Sequence, residues 1–118
     1  MQTGNPMHEL SITQGIIELC LSHAAGQRIR SLDIEIGALS SVVPDAIEFC
    51  FEACSRDTLL EGAELHIIRT AGLGSCQECG QDTPLQELFD SCHRCGSNQV
   101  IIIAGEELRV REIEVYDQ

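Results

Sequence analysis

The sequence is poor in aromatic residues and in positive charge, and each shortage excludes a class of protein. Aromatic residues make up 3% of the 118 residues and tryptophan is absent, so the core has to be built from isoleucine, leucine and valine. The chain has 7 Lys and Arg against 19 Asp and Glu, a formal net charge of −12. Nucleic-acid binding needs clustered cations to neutralise phosphates, so this charge argues against a nucleic-acid partner and favours metal cations or basic proteins.

The chain also lacks the segments that mark a membrane protein, a secreted protein or a common hydrolase. No apolar run approaches the roughly 20 residues of a membrane-spanning helix, and the N-terminus does not have the pattern of a signal peptide. No Gly-x-Ser-x-Gly motif occurs and the 4 histidines have no evident triad partners, so we expect no enzyme. An odd count of 7 cysteines predicts a reducing compartment and therefore a cytoplasmic protein.

Two pairs of cysteines form the clearest motif. In each pair two residues separate the cysteines and a glycine follows the second one; the four are Cys76, Cys79, Cys92 and Cys95. This spacing lets four thiolates surround one ion, and it predicts a structural zinc site in a zinc ribbon. The glycine tolerates a positive φ, so that each turn folds under the metal and aims backbone N–H groups at the sulfurs.

Other interpretations of the cysteines remain open from the residues alone. The pairs could be disulfides or free thiols, and the neighbouring His93 could replace one ligand. Iron in the same site would give a rubredoxin-like electron carrier, although Phe89 is the only aromatic residue available to shield it. A zinc ribbon that binds nucleic acid is another alternative.

The remaining cysteines lie outside this motif. Cys50 and Cys54 could share a ligand, but we expect them, like Cys20, to be small buried residues.

Hydrophobic periodicity predicts two helices. The first covers residues 8–25, with one stripe of Ile12, Ile16, Leu19 and His23 and a second beside it of Thr13, Ile17, Cys20 and Ala24. The second begins at Pro44, which suits a first helical turn, and buries Ile47, Cys50, Phe51 and Cys54.

The remaining pattern predicts strands around the cysteine motif. Apolar and charged residues alternate over residues 32–36, and Ala63, Leu65 and Ile67 place apolar residues on one face of a second strand. Residues 71–75 contain two glycines and indicate a flexible joint, whereas residues 99–104 and 107–116 indicate a hairpin that turns near Gly105. The apolar residues of the last strand change parity, which predicts a bulge near Arg111 or Glu112.

These elements predict an α+β fold, with two helices on a three-stranded sheet and an inserted zinc-ribbon module held by the four cysteines. We expect the last strand to return to the first sheet. The predicted divisions are a disordered extension at residues 1–6, an α+β domain at residues 7–71 and 106–118, and a zinc module at residues 72–105.

Met7, His8 and Glu9 have a composition that suits nickel. A histidine second after a free amine chelates nickel or copper through its imidazole Nδ1, its own backbone nitrogen and the amine, and Glu9 supplies a further oxygen. From the residues alone, a solvated helix start is the alternative.

Taken together, the motifs resemble the HypA/HybF family over about residues 7–115. The resemblance rests on Met7-His8-Glu9-Leu10-Ser11, residues 32–37, residues 48–52, the four cysteines, and residues 106–110 and 112–115. It implies a metallochaperone that binds Ni(II) through Met7, His8 and Glu9 and holds structural Zn(II) on the cysteines. Such proteins deliver nickel during [NiFe]-hydrogenase maturation, and some also serve urease. The implied partners are a HypB-type GTPase and the hydrogenase large subunit, with the chain acting as a monomer or a homodimer.

The start of the chain departs from the family pattern, in which the methionine before the histidine comes first. Here six residues precede Met7, and we expect Met7 to be the true start or the extension to be artificial. With a start at Met1, chelation would stop at Pro6, whose nitrogen has no proton to lose. In some members a further carboxylate near the second helix helps to bind nickel. Asp45 and Glu48 lie in the early turns of the second helix here, but we expect them to be ordinary charges at a helix start.

Overall fold

The computed structural model describes the backbone of residues 6–116 and the side chains of residues 8–116. Its elements are α1 (Pro6–Ala24), β1 (Ile29–Gly37), α2 (Pro44–Cys54), β2 (Glu64–Thr70), β3 (Gly72–Cys76), β4 (Asp82–Leu85), β5 (Val100–Ala104) and β6 (Leu108–Val115). The strands form a first sheet in the order β2-β1-β6 and a second sheet in the order β4-β3-β5.

The predicted extension at residues 1–6 falls mostly outside the described residues. Residues 1–5 are not described, but Pro6 is the first residue of α1, so the prediction is wrong at that position. A proline suits the first helical turn because its missing N–H would have no partner there. The same preference places Pro44 at the start of α2, as predicted.

The first sheet carries both helices on one face. Its central strand, β1, is parallel to β2 and antiparallel to β6. The core between sheet and helices is aliphatic apart from one phenylalanine and small residues: Ile17, Cys20, Ala24, Ile29, Leu32, Ile34, Ile36, Val42, Ile47, Phe51 and Leu60. The predicted architecture of two helices on a three-stranded sheet is therefore confirmed.

The last strand returns to the first sheet with the predicted bulge. Asp33 pairs with Glu112 and Ile34 pairs with Val110, so Arg111 is an extra residue on β6. The predicted hairpin is wrong, because β5 pairs with β3 in the second sheet while β6 pairs with β1 in the first. The chain changes sheets near Gly105 instead of folding back on itself.

The predicted flexible joint at residues 71–75 is also wrong, because it contains most of β3, the centre of the second sheet. The glycine at position 74 is required by close packing. A Cβ there would overlap Val100 Cγ1 and lie 2.9 Å from Leu85 Cδ1. Glycine inside a strand marks such a close approach as readily as it marks a flexible link.

The buried face of α1 follows the second of the two adjacent stripes that the sequence predicts. It consists of Glu9, Thr13, Ile17, Cys20 and Ala24, with Ile12, Ile16 and Leu21 partly buried beside it. Leu19 is 46% exposed and His23 is exposed, so the prediction of a stripe through these two residues is wrong. The face begins with the buried carboxylate of Glu9.

Candidate metal centres

The four cysteines converge on one point. Their sulfur atoms all lie within 4.8 Å of one another, with 3.6 Å between Cys76 and Cys95 and 3.7 Å between Cys79 and Cys92. A disulfide would bring two sulfurs to about 2.05 Å, and the cysteines are free. Four thiolates at about 2.3 Å from a tetrahedral zinc ion would lie roughly 3.8 Å apart, so the arrangement fits zinc.

Two matched turns hold these sulfurs. In the first, the Gly80 N–H donates to the Cys76 carbonyl at 3.0 Å; in the second, the Gly96 N–H donates to the Cys92 carbonyl at 2.9 Å. The glycines have φ of 77° and 75°, as predicted. Backbone N–H groups of the two turns also point at sulfur, from Cys79 to Cys76 at 3.5 Å and from Arg94 to Cys92 at 3.4 Å. These donors stabilise thiolate ligands.

The thiols differ in how readily they lose a proton. The Cys79 N–H lowers the pKa of Cys76 to about 6, and the Cys95 N–H lowers the pKa of Cys92. The Ser97 N–H acts in the same direction at Cys95, but the neighbouring Cys76 and burial outweigh it and raise the Cys95 pKa to about 12. The site therefore takes two thiolates easily, and a cation is needed to balance four of them.

The second turn is fastened to the second sheet through a buried hydroxyl. Thr83 on β4 is fully buried, and its Oγ1 accepts the His93 N–H at 3.0 Å. The His93 side chain is exposed and does not belong to the four-residue cluster. Among the described residues, these four cysteines are the one group of His, Cys, Asp and Glu that converges closely enough to hold a metal ion.

The predicted nickel ligands lie at the start of α1, in unlike environments. His8 is exposed, whereas Glu9 is fully buried. Met7 contributes backbone to α1, but its side chain lies outside the described residues. One carboxylate oxygen of Glu9, Oε2, accepts the Val43 N–H at 3.0 Å, so Glu9 caps the start of α2. Val43 is the N-cap residue of α2 and has no side-chain cap of its own, and a carboxylate there also suits the helix dipole.

The other oxygen of this carboxylate, Glu9 Oε1, is buried and has no hydrogen-bond partner among the described residues. An unsatisfied carboxylate oxygen is costly to bury, and a cation or a water molecule is the usual explanation in a native protein. The sequence indicated Glu9 as a ligand but not its burial. The only signal was its position one turn before Thr13 on the buried face.

The two further carboxylates considered for nickel both lie on α2 and are both exposed. Asp45 is exposed and lies 3.6 Å from the Arg69 guanidinium, and Glu48 is exposed on α2. Cys50, half-buried on the same helix, has its pKa raised by burial and by the charges of Cys54 and Glu9. The structure therefore gives Asp45 an arginine as its partner.

Comparison with known proteins assigns the chain to a family. Residues 7–115 match a family model described as hydrogenase/urease nickel incorporation, metallochaperone, hypA. The hydrogenase maturation factor HypA of Geobacter metallireducens is 56% identical over 109 residues, covering 92% of this chain and 99% of the relative. The HypA of Geobacter sulfurreducens is 53% identical over the same length.

A solved structure agrees with this assignment. The solution structure of the Ni metallochaperone HypA from Helicobacter pylori has a TM-score of 0.65 and 26% identity, and covers 93% of this chain and 98% of its own. In the described part of this chain, no helix is both long enough and apolar enough to span a membrane. The family description favours metal delivery over the electron-carrier and nucleic-acid alternatives. The chain therefore belongs to the HypA family of metallochaperones and is a maturation factor, not an enzyme.

Proposed function

We propose that this chain binds Ni(II) through Met7, His8 and Glu9 and delivers it during [NiFe]-hydrogenase maturation. The observation that carries the proposal is the buried, unpartnered oxygen of Glu9, the residue that directly follows the exposed His8 in the chain. A cation held by His8 would supply the missing partner of Glu9 Oε1, while Oε2 keeps the Val43 N–H. Nitrogen and carboxylate ligands suit Ni(II).

The exposure of His8 supports handover rather than storage. A partner can reach an ion on an exposed imidazole and replace its ligands one at a time. An ion on the cysteines, by contrast, would have all four tetrahedral positions filled by thiolates from two matched turns, so it would exchange slowly although Cys79 and Cys95 are exposed. We assign zinc to that closed site with a structural role, as in other four-cysteine sites.

The family description supports a proposal about the recipient machinery. We propose a HypB-type GTPase and the hydrogenase large subunit as partners, with urease as a second recipient because the family description includes it. The free cysteines also fit a reducing cytoplasm.

Calorimetric titration of zinc-loaded protein with Ni(II) tests the proposal. His8→Ala should weaken nickel binding by more than the 10–100-fold that follows loss of an outer-shell partner, while zinc content stays the same. His23→Ala is the matched control, because His23 is also an exposed histidine on α1. Equal nickel affinity in His8→Ala and wild type would refute the nickel assignment.

Glu9 needs two variants because it has two roles. In Glu9→Gln the amide oxygen still accepts the Val43 N–H, so the fold should persist while nickel affinity falls. Glu9→Ala should also lose about 1–3 kcal/mol of unfolding free energy, because the Val43 N–H is left unpaired. Unchanged nickel affinity in Glu9→Gln would remove Glu9 from the ligand set.

The same titration should distinguish two starting points. A chain beginning at Met7 offers its amine to the ion, whereas a chain beginning at Met1 offers backbone nitrogens only as far as Pro6. We expect tighter nickel binding by the chain that begins at Met7. Equal affinities would show that the amine is not a ligand.

A further inference from the structure

A groove of about 650 Å³ runs between the segment before α2 and a loop that follows β4. Residues 38–44 form one wall and residues 86–89 form the other. The exposed fraction of Leu88 is 42% and that of Phe89 is 93%, so the second wall opens to solvent. A small ligand is normally enclosed over most of its surface, and this groove would leave it in water. The shape therefore suits a segment of a larger molecule.

Apolar side chains line both walls of this groove. Leu39 and Val42 are buried in the first wall, whereas Leu88 and Phe89 stand in solvent on the second. The chain has three phenylalanines, and it exposes Phe89 although its core is short of aromatic residues. Exposed apolar clusters mark binding sites, and aromatic residues are common anchors in them. We therefore expect Leu88 and Phe89 to be covered in a complex.

The loop that carries Phe89 is held in shape by one carboxylate. Asp90 Oδ2 accepts the Gln86 N–H at 2.8 Å and the Glu87 N–H at 3.0 Å. The Asp90 N–H donates in turn to the Glu87 carbonyl at 3.2 Å. A loop that is already ordered loses less conformational entropy when a partner binds. The structure therefore presents Phe89 in a form that is ready for binding.

The stretches of chain that form the groove carry only negative charge. Residues 38–54 contain three carboxylates and residues 71–92 contain four, and neither stretch contains lysine, arginine or histidine. Glu87 lines the groove itself. Glu48 lies four residues after the lining residue Pro44 on α2, so the two share one side of the helix. The potential along the groove therefore favours a cationic segment.

The same charge argues against other occupants. Nucleic acid and anionic lipid headgroups would be repelled. A second copy offers no basic segment, because the chain has no lysine. Among the described residues, five of the seven arginines already form ion pairs with carboxylates of the chain: Arg30, Arg56, Arg69, Arg109 and Arg111. A basic segment of a different protein is the occupant whose chemistry complements the groove.

We propose that this groove is a docking site for an amphipathic, basic segment of another protein. Apolar residues of the segment lie against Leu88 and Phe89, and its lysines or arginines lie against Glu87. The docked segment also contacts Val43, whose N–H holds the carboxylate of Glu9. This contact places the partner beside the nickel site, a consequence that rests on the proposed function, whereas docking itself does not depend on it.

Fluorescence anisotropy of zinc-loaded, nickel-free protein with a labelled helical peptide tests the proposal. The peptide has about 18 residues, roughly five turns, with leucines on one face and lysines on the other. It should bind, and added salt should weaken the binding by screening. Phe89→Ser should weaken binding at least about tenfold, because it removes the aromatic anchor. Phe49→Ser is the control, because Phe49 is 79% exposed on α2 but does not line the groove.

Reversal of one charge tests the basic side of the segment. Glu87→Lys should weaken peptide binding, because it places a cation in the groove. Glu18→Lys should weaken it much less, although it changes the net charge equally, because Glu18 is exposed on α1. A second peptide with glutamate in place of lysine should not bind.

Several outcomes would overturn the docking site: no binding of the lysine peptide, equal binding of the glutamate peptide, or equal effects of a groove variant and its control. A dimer in sedimentation velocity that Phe89→Ser dissociates would assign the groove to a second copy and overturn it as well. If Phe89→Ser loses zinc, Leu88→Ser takes its place. Because nickel is absent throughout, failure of this test is distinct from failure of the nickel assignment, which the His8→Ala titration decides.

Discussion

Charged side chains on the outer face of the first sheet form ion pairs, and His66 is at the centre of one such group. Its Nδ1 lies 2.8 Å from Asp33 Oδ1 on the neighbouring strand, and its Nε2 lies 3.2 Å from Glu64 Oε1. The hydrogen bond to Asp33 raises the His66 pKa above its usual 6.5, with Glu64 adding to the effect and burial opposing it. Folding therefore favours the charged imidazolium.

A raised pKa makes the contribution of His66 to stability depend on pH. The contribution is fully present below the unfolded pKa of about 6.5 and is lost as pH rises through the higher folded pKa. We expect Asp33→Asn to lower the folded pKa of His66 in an NMR titration. It should also destabilise the protein more at about pH 5 than at about pH 9 in urea unfolding.

Glu64→Gln serves as the comparison, because its contact with His66 is longer and its side chain is 75% exposed. Its effect on the His66 pKa should be smaller. An unchanged His66 pKa in Asp33→Asn would contradict the assignment of Asp33 as the main cause.

The residues of the two metal centres differ in how far sequence alone could predict them. The cysteine cluster followed from spacing, because two residues between ligands and a glycine after them are local requirements of the turn. The burial of Glu9 did not follow, because it depends on where α2 begins, 34 positions further along the chain. A carboxylate next to an exposed histidine has the pattern of a surface residue, and only tertiary packing shows otherwise.

At the scale of elements, the parity of apolar residues predicted the bulge of a strand correctly, whereas adjacency in sequence did not predict which strands pair. The change of parity in the last strand predicted the bulge that the structure has at Arg111. The hairpin prediction failed because β5 and β6 are adjacent in sequence but pair with different strands, β3 and β1. The pairing partner of a strand depends on the whole arrangement, so the pattern of one segment does not specify it.

The centre of β3 gives a prediction about an element. In Gly74→Ala the new methyl group would meet Val100 Cγ1, Leu85 Cδ1 at 2.9 Å and the Ile101 carbonyl oxygen at 3.3 Å. The Val100 and Leu85 side chains would have to shift, and overpacking of this kind costs about 1–3 kcal/mol. The second sheet should loosen, and zinc should pass to a chelator faster than from wild type.

Gly15→Ala is the matched control for this substitution. Gly15 lies on α1, and a Cβ there would have no neighbour within 4 Å. Alanine in a helix is favoured over glycine by up to about 1 kcal/mol, so this variant should be more stable with an unchanged zinc release rate. Equal zinc release from Gly74→Ala and wild type would contradict the close packing of β3.

The whole molecule divides its stability between two different sources. The first sheet has a continuous aliphatic core under two helices. The second sheet buries few large side chains: besides Leu85 and Thr83, its most buried side chains include the ligands Cys76 and Cys92. A sheet with so little apolar surface to bury depends on its metal for folding free energy.

Removal of the metal should therefore act on one sheet and spare the other. Cys76→Ser, or a strong chelator added to wild type, should release zinc and remove hydrogen-exchange protection from β3, β4 and β5. Structural zinc contributes on the order of 10 kcal/mol, far more than the second sheet can replace. Protection in β1 and β2 should persist, because their core contains no zinc ligand. This experiment also tests the prediction that residues 72–105 form a module of their own.

Cys20→Ala provides the opposite control, because Cys20 is buried in the core of the first sheet and lies on α1. It should lower the unfolding free energy of the first sheet and leave zinc content unchanged. Hydrogen exchange in β6 should respond most to the connection between the two sheets. The chain passes from β5 to β6 through Gly105, whose carbonyl accepts the Leu39 N–H at 2.7 Å. If β1 and β2 lose protection together with β3 when zinc is removed, the two sheets unfold as one unit and the proposed division of stability is wrong.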